Sequence, residues 1–242
     1  GFLSFVSSMA FSSLALGVAI LILVSSVMNG FERELRDRIL QSIPHASING
    51  NINTNNLKVI QSLLTQNEEV IASAPYIETQ GLLISKDSLK GVYIYGISPN
   101  DEPGVSLVSK RIIQGNFQAL SPEDYGIIIG DILSYQLGLN VGDFVNILVP
   151  ETSLGLAGIF PKTKKFKVVG IFNIGSPEID QSHVYIHIKN ASKLLRMGNK
   201  FHGVRIRYKD LFKAKVNVEA DKDRLNKTIF SNLESSDWTY SY

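Results

Sequence analysis

The sequence predicts an α+β protein that begins with a transmembrane helix, and three observations predict it. No Asp, Glu, Lys or Arg occurs before Glu32. The chain reads strand, helix, strand both after this apolar run and at its far end. The stretch between those two ends reads as short apolar or alternating runs bounded by Gly, Pro, Asp or Asn, the composition of a small barrel or sandwich. Two β-α-β halves in one α+β layer pair, with a β-rich insertion between them, satisfy all three.

The N-terminal run is apolar from Leu14 to Val24 apart from Gly17, and Phe2 to Met28 exceeds the ~20 residues that span a ~30 Å hydrocarbon core. A cleaved secretory signal has a shorter apolar region that ends at a small-x-small site, whereas this one runs into Asn29-Gly30-Phe31-Glu32. Serines at 4, 7, 8, 12, 13, 25 and 26 lie among Ala10, Ala15, Gly17 and Ala19. They let helices approach closely in lipid, or they bond back to their own carbonyls. From Glu32 the pattern becomes amphipathic, with Leu35, Ile39, Leu40 and Ile43 at helical spacing and Glu32/Arg36 and Glu34/Arg38 as i,i+4 pairs. Residues 1–43 are therefore expected to be one helix that leaves the membrane and ends at Pro44.

Next come a strand over His45–Asn49, a polar turn over Asn51–Asn56 and a helix over Leu57–Leu64. Val70–Tyr76, interrupted by Pro75, leads into a hairpin of Glu78–Ser85 and Gly91–Ile97 turning at Lys86–Lys90. At the far end, His202–Tyr208 reads as a strand, Ala214–Ile229 as a helix and Trp238–Tyr242 as a strand. Residues 44–97 and 199–242 are thus expected to form one subdomain and 98–198 the insertion. Within the insertion Gly126–Gly130, Phe144–Val149, Phe166–Phe172 and His183–Ile188 read as strands. Asp131–Leu137 and Ala191–Met197 read as helices, with Gly138 and Gly198 where a C-cap places glycine.

A hydrophobic share of 44% with 19% charged residues excludes disorder, and a net charge of +2 with scattered basic residues argues against a nucleic-acid partner. With no cysteine there is no disulfide or thiolate metal site. No Walker A, G-x-G-x-x-G, H-E-x-x-H or G-x-S-x-G motif is present, so no catalytic residue, no metal site and no cofactor is expected in this segment. His183 and His187 share a strand face but stand roughly 13 Å apart, too far to share a metal. The most distinctive stretch runs from Pro150 to Pro161 and carries Leu154, Leu156, Ile159 and Phe160, followed by Lys162, Lys164, Lys165 and Lys167. Either it protrudes as an apolar contact on a basic stem, or it folds over the sheet while the lysines mark a solvated strand face.

Met28-Asn29-Gly30-Phe31-Glu32-Arg33-Glu34-Leu35-Arg36-Asp37-Arg38-Ile39-Leu40 followed by Pro44-His45 resembles the lipoprotein-releasing permeases of the LolC and LolE type. Similarity continues in Ala74-Pro75-Tyr76, Ile128-Ile129-Gly130, Leu137-Gly138-Leu139, Val141-Gly142-Asp143 and Val169-Gly170-Ile171-Phe172, and so covers essentially the whole chain. The opening Gly is expected to mark an excerpt of a longer chain, with three further membrane helices outside it.

The resemblance implies an inner-membrane ABC-transporter permease with a MacB-like, porter-like periplasmic domain and everything after about residue 31 in the periplasm. Its implied partners are a cytoplasmic ATPase subunit that binds the ATP, a second permease subunit in a hetero- or homodimer, membrane lipid, triacylated lipoproteins and a periplasmic lipoprotein carrier. It implies that Val24, Val27, Met28 and Phe31 contact the lipid chains. It also implies that Leu154, Leu156, Ile159, Phe160, Pro161 and Lys162 form a hook for the carrier. The surroundings at Ala74–Leu83 and Gly203–Ala214 are more LolE-like and Gly158-Ile159-Phe160-Pro161 more LolC-like, a combination consistent with one permease filling both roles. Competing expectations are a MacB-like efflux or peptide exporter and an FtsX-like regulator of a cell-wall hydrolase.

Overall fold

The computed structural model describes residues 1–40, 44–86, 88–150, 162–229 and 232–237. The chain divides into two units, Gly1–Leu40 and Gln41–Tyr242. The first is one uninterrupted helix, α1 (Phe2–Leu40), about 58 Å long at ~1.5 Å per residue. From Ser4 to Gly30 its mean hydropathy is 2.3 and none of it is buried. A core helix of a soluble protein buries at least one apolar stripe; this one buries none, which fits a membrane span. The expected reach to Ile43 falls partly on residues 41–43, outside the described residues.

The second unit starts with β1 (Ala46–Asn53), α2 (Thr54–Thr65) and β2 (Val70–Ser85), and it closes with β9 (Lys200–Tyr208), α7 (Ala214–Ile229) and β10 (Glu234–Asp237). In space the strands run β10-β1-β9-β2, with β9 antiparallel to both β1 and β2 and β10 antiparallel to β1. Each β-α-β unit is therefore split by a strand of the other, the interleaved arrangement of ferredoxin-like folds. Ile48, Ile52, Val204, Ile206 and Tyr208 of the sheet bury one face against Ile60 and Leu64 of α2 and Val218 and Leu225 of α7. The expected polar turn over Asn51–Asn56 is instead the end of β1 and the start of α2. The Asn53 side chain accepts from Asn55 and Asn56 N–H, and Asn56 returns a bond to the Asn53 N–H, a reciprocal cap that starts the helix three residues early. The strand expected at Trp238–Tyr242 lies outside the described residues; β10 precedes it.

Between the split units lie β3 (Ser88–Ile97), α3 (Glu102–Val105), β4 (Ile112–Gly115), β5 (Gly126–Gly130), α4 (Asp131–Leu137), β6 (Phe144–Val149), β7 (Lys162–Phe172), α5 (Pro177–Ser182), β8 (His183–His187) and α6 (Ile188–Leu195). The pairs β2–β3, β3–β8, β8–β5, β5–β7, β7–β6 and β6–β2 close into a ring. The β-rich segment is thus a six-stranded barrel, with β4 continuing the β7 edge beyond β6. Its interior holds Ile77, Leu83, Ile94, Ile127, Ile147, Phe166, Val168 and Ile186, joined by Leu133 and Leu137 of α4 and Ala191 and Leu194 of α6.

β3 ends at Ile97, next to the expected boundary at 97 and 98, and β2 and β3 of the first expected segment also pair with β6 and β8 of the barrel. The hairpin turn is tighter than expected, with Ser85 pairing Ser88. Gly138 caps α4 at φ +59, as its position predicts. Gly198 does not cap α6: Arg196 does so in the left-handed region, and the Ser192 hydroxyl donates to the Gly198 carbonyl.

The face of the split sheet turned away from α2 and α7 carries Arg205. Its guanidinium bonds the carboxylate of Glu102 on α3, which is fully buried and also accepts from Ser106 Oγ at 2.7 Å. The cation sits 5.3 Å from the Tyr76 ring centroid and 5.7 Å from that of Tyr95. Burial pushes the Glu102 carboxyl above the usual carboxylate range, opposed by Arg205 and Ser106. Burial is the largest single influence on the guanidinium and works against its charge, but Glu102 together with Tyr185, Tyr76 and Tyr95 outweighs it and raises the Arg205 pKa above its ordinary value. Breaking such a pair strands a buried charge. Glu102→Ala or Arg205→Ala should each lower the unfolding free energy by about 3–5 kcal/mol in urea titrations, whereas the double variant Glu102→Leu/Arg205→Met should recover most of the loss.

Candidate functional site

Val24, Val27, Met28 and Phe31 follow the i, i+3, i+4, i+7 spacing of one helix stripe, and α1 is continuous through all of them. Val24, Val27 and Met28 are 57%, 65% and 64% exposed. They form an unbranched-to-branched apolar strip without a polar group, suited to hydrocarbon chains, to which Met adapts through its flexible thioether. The Phe31 backbone continues the helix, and its side chain lies outside the described residues.

The candidate hook residues Leu154, Leu156, Ile159, Phe160 and Pro161 lie outside the described residues. The ladder that carries them does not. β6 and β7 pair antiparallel from Phe144↔Lys167 to Val149↔Lys162, so the stretch from 150 to 161 is borne on the end of a hairpin that belongs to the barrel wall. Lys162, the last candidate, donates Nζ to the Leu195 carbonyl at 3.3 Å, in the last turn of α6, where the helix dipole favours a cation. It therefore ties the hairpin root to the barrel.

The lysines behind it are divided between two faces. Lys164 Nζ lies 4.2 Å from the Tyr125 ring centroid and Lys165 Nζ 4.3 Å from that of Phe144, while Phe166 and Val168 point into the core. On the outside of the barrel, cross-strand rows run Leu89–Ile84–Asn146–Lys165 and Gly91–Leu82–Leu148–Thr163. Leu89 and Phe144 are more than half exposed. Apolar residues at both parities of Phe144–Val149 were the signal for this outer patch, since one parity already fills the barrel.

The two histidines on β8 have other tasks. His183 stacks on Tyr95 at 5.2 Å and meets Tyr93 at 5.5 Å, and burial pushes its pKa down to about 4. His187 accepts the Lys189 N–H as the N-cap of α6. No group of three or more metal-ligating side chains is found among the described residues. Buried His45 accepts the Tyr208 N–H through Nδ1 and donates its own backbone N–H to the Ile206 carbonyl, pinning the start of β1 to β9.

Comparison with known proteins gives a family model described as the MacB-like periplasmic core domain, matching residues 7–228. The lipoprotein-releasing system transmembrane protein LolC of Neisseria meningitidis serogroup B is 35% identical over all of this chain and 58% of its own length. LolC of Xylella fastidiosa is 34% identical over 87% of this chain and 51% of its own, and LolE of Haemophilus influenzae 27% identical over 84% and 50%. The chain thus spans about half the length of the curated relatives it matches. Among solved structures, the periplasmic region of MacB from Actinobacillus actinomycetemcomitans aligns with a TM-score of 0.51 at 11% identity, covering 80% of this chain and 88% of that one. The extracellular domain of the noncanonic ABC-type transporter YknZ from Gram-positive bacteria aligns with a TM-score of 0.51 at 12% identity, covering 79% and 98%. At such identities the structural matches speak for the fold alone.

Burial, then the positive charge of Arg207, lowers the His45 pKa to about 4 from its ordinary 6.5. The unfolded chain therefore binds the extra proton more readily, and stability present above pH 6.5 is lost as pH falls toward 4. The unfolding free energy should drop by up to about 3 kcal/mol across that window. His45→Asn, which keeps an acceptor near the Nδ1 position, should flatten the profile in melts recorded at successive pH values.

Proposed function

Because this chain belongs to the MacB-like periplasmic core domain family, we propose that it is the first membrane helix and the periplasmic domain of a lipoprotein-releasing permease. The observation that carries the reading is the 35% identity to a LolC protein along the whole chain, membrane helix included.

In this reading α1 crosses the inner membrane and the second unit stands in the periplasm. ATP is hydrolysed by a separate cytoplasmic subunit, and a second permease subunit completes the transport path. The stripe Val24, Val27, Met28 and Phe31 contacts the acyl chains of a triacylated lipoprotein, with which it shares an apolar, adaptable chemistry. The segment from 150 to 161 is the hook that receives the periplasmic carrier. Its support is mechanical, since the residues flanking it, Val149 and Lys162, pair with each other in the barrel ladder and Lys162 is tied to α6. A rigid root lets a short apolar segment bind without also having to order its base. The identity to the LolC proteins of Neisseria meningitidis and Xylella fastidiosa, higher than to the LolE relative, supports the carrier-receiving role.

Two experiments in cells test the reading. Photo-crosslinking side chains at Leu156 or Phe160 should capture the periplasmic carrier, with labelling well above that from exposed Glu219 on α7; equal labelling from the two places would remove the hook. Met28→Asp should slow lipoprotein release at least tenfold, as expected when a carboxylate is forced into an acyl-chain contact, while the protein still inserts in the membrane. Normal release in that variant would show that the lipid faces another stripe of α1.

A further inference from the structure

Along one edge β2 changes neighbours, and between the two neighbours lies a stretch that pairs with neither. Pairing with β9 ends at Tyr76, opposite Gly203. Pairing with β6 begins at Leu82, opposite Leu148. The other edge of β2 stays bonded to β3 from Tyr76 to Ser85 without a break. In an antiparallel strand every second residue turns its N–H and C=O toward the same edge. The Glu78 N–H faces the open edge, because it donates to His202 Nδ1 at 3.0 Å. Gln80, two residues on, therefore presents its own N–H and C=O there too.

A cavity of about 330 Å³ opens at this fork, lined by Asn49, Tyr76, Glu78, Thr79, Gln80 and His202. Its walls are set. The Tyr76 hydroxyl donates to Asn49 Oδ1 at 2.8 Å, and a Cβ on Gly203 would stand 2.3 Å from Asn49 Oδ1 and 2.7 Å from the Ile48 carbonyl. With Nδ1 accepting, the proton of neutral His202 sits on Nε2, a further donor. Glu78 makes no ion pair among the described residues. The lining side chains bring hydroxyl, amide, imidazole and carboxylate groups, which suit a hydrogen-bonding ligand, and the one formal charge is negative, which disfavours an anion.

We infer that this fork binds a short, extended, cationic peptide segment as an added strand, independently of the transport reading. The Gln80 N–H and the Glu78 C=O supply the main-chain hydrogen bonds, since the Glu78 N–H is taken by His202 and the Gln80 C=O by the Thr79 hydroxyl, and the Glu78 carboxylate selects a Lys or Arg beside them. The volume is at the lower end of the range for ligand pockets, about 300 Å³. It lies open to solvent and admits a few residues of extended chain.

The test uses the full chain in a neutral maltoside detergent and a fluorescein-labelled Thr-Lys-Thr-Lys-Thr-Lys peptide, read by anisotropy. The basic peptide should bind at least tenfold tighter than its Thr-Glu counterpart and than the same basic peptide N-methylated at alternate residues, which removes the donors of one edge. Glu78→Lys should reverse the charge preference, whereas Glu219→Lys on α7 should leave it unchanged. Gln80→Pro removes one N–H from the open edge without touching the β3 ladder and should weaken binding about tenfold at an unaltered melting temperature. Equal binding of the N-methylated peptide, or an unchanged preference in Glu78→Lys, would overturn the inference, and the Glu78 variant decides the matter even if Gln80→Pro does not fold.

Discussion

The hydrogen-bond ladder along β2 is the constraint on which the rest of the second unit depends. One strand of 16 residues serves both parts of one continuous sheet: its first part pairs β9 in the split β-α-β layer, its last part pairs β6 in the barrel, and β3 runs along the opposite edge. A strand bonded in this way cannot slip by one residue, because each slip would turn Ile77 and Leu83 out of the barrel and Tyr76 away from Asn49. The register of the layer and the register of the barrel are therefore set by one alignment.

That shared strand is reinforced where it passes from the split layer into the barrel. Arg205 reaches from β9 to Glu102 on α3 with Tyr76 and Tyr95 beside the guanidinium, so the segment leaving β3 is fastened back onto the split layer. A buried pair of this kind adds little net stability compared with an apolar filling. What it does supply is intolerance of alternatives, since any arrangement that separates the two leaves a charge without water or partner. The chain has reason to need this, because β1 pairs with β9 and β10 from the opposite end of the sequence, and contacts so distant close slowly.

Local signals were read well where local chemistry decides. Gly126–Gly130, Asp131–Leu137, Phe144–Val149 and Ala214–Ile229 fall on β5, α4, β6 and α7 with the bounds expected from their periodicity and capping. Pro75 misled, because proline lacks the N–H a ladder needs. In β2 that missing donor faces the β3 side one residue before β3 pairing begins at Tyr76↔Ile97, so nothing is lost. The Asn-rich stretch near residue 53 was read by composition, whereas its side chains form a reciprocal cap. Barrel closure through β6–β2 and the parallel β3–β8 and β5–β7 pairs leave no mark at the level of single segments. The proposed lipid-contact stripe came from resemblance alone, and the proposed hook from resemblance together with the run of apolar residues between two strands. The fork beside Glu78 had no sequence signal, because it is a gap between two pairings and not a pattern of residues.

The hairpin formed by β6 and β7 has an evolutionary consequence. Its ladder ends at Val149↔Lys162, so the chain leaves and re-enters the barrel at adjacent points, one strand spacing apart. Lengthening a loop between fixed ends costs only slowly growing closure entropy, about 0.6 kcal/mol for each doubling. Residues can therefore be inserted, deleted or exchanged between 150 and 161 while the barrel keeps its register. Members of the family can diverge in this one cassette and leave the scaffold that bears it unchanged.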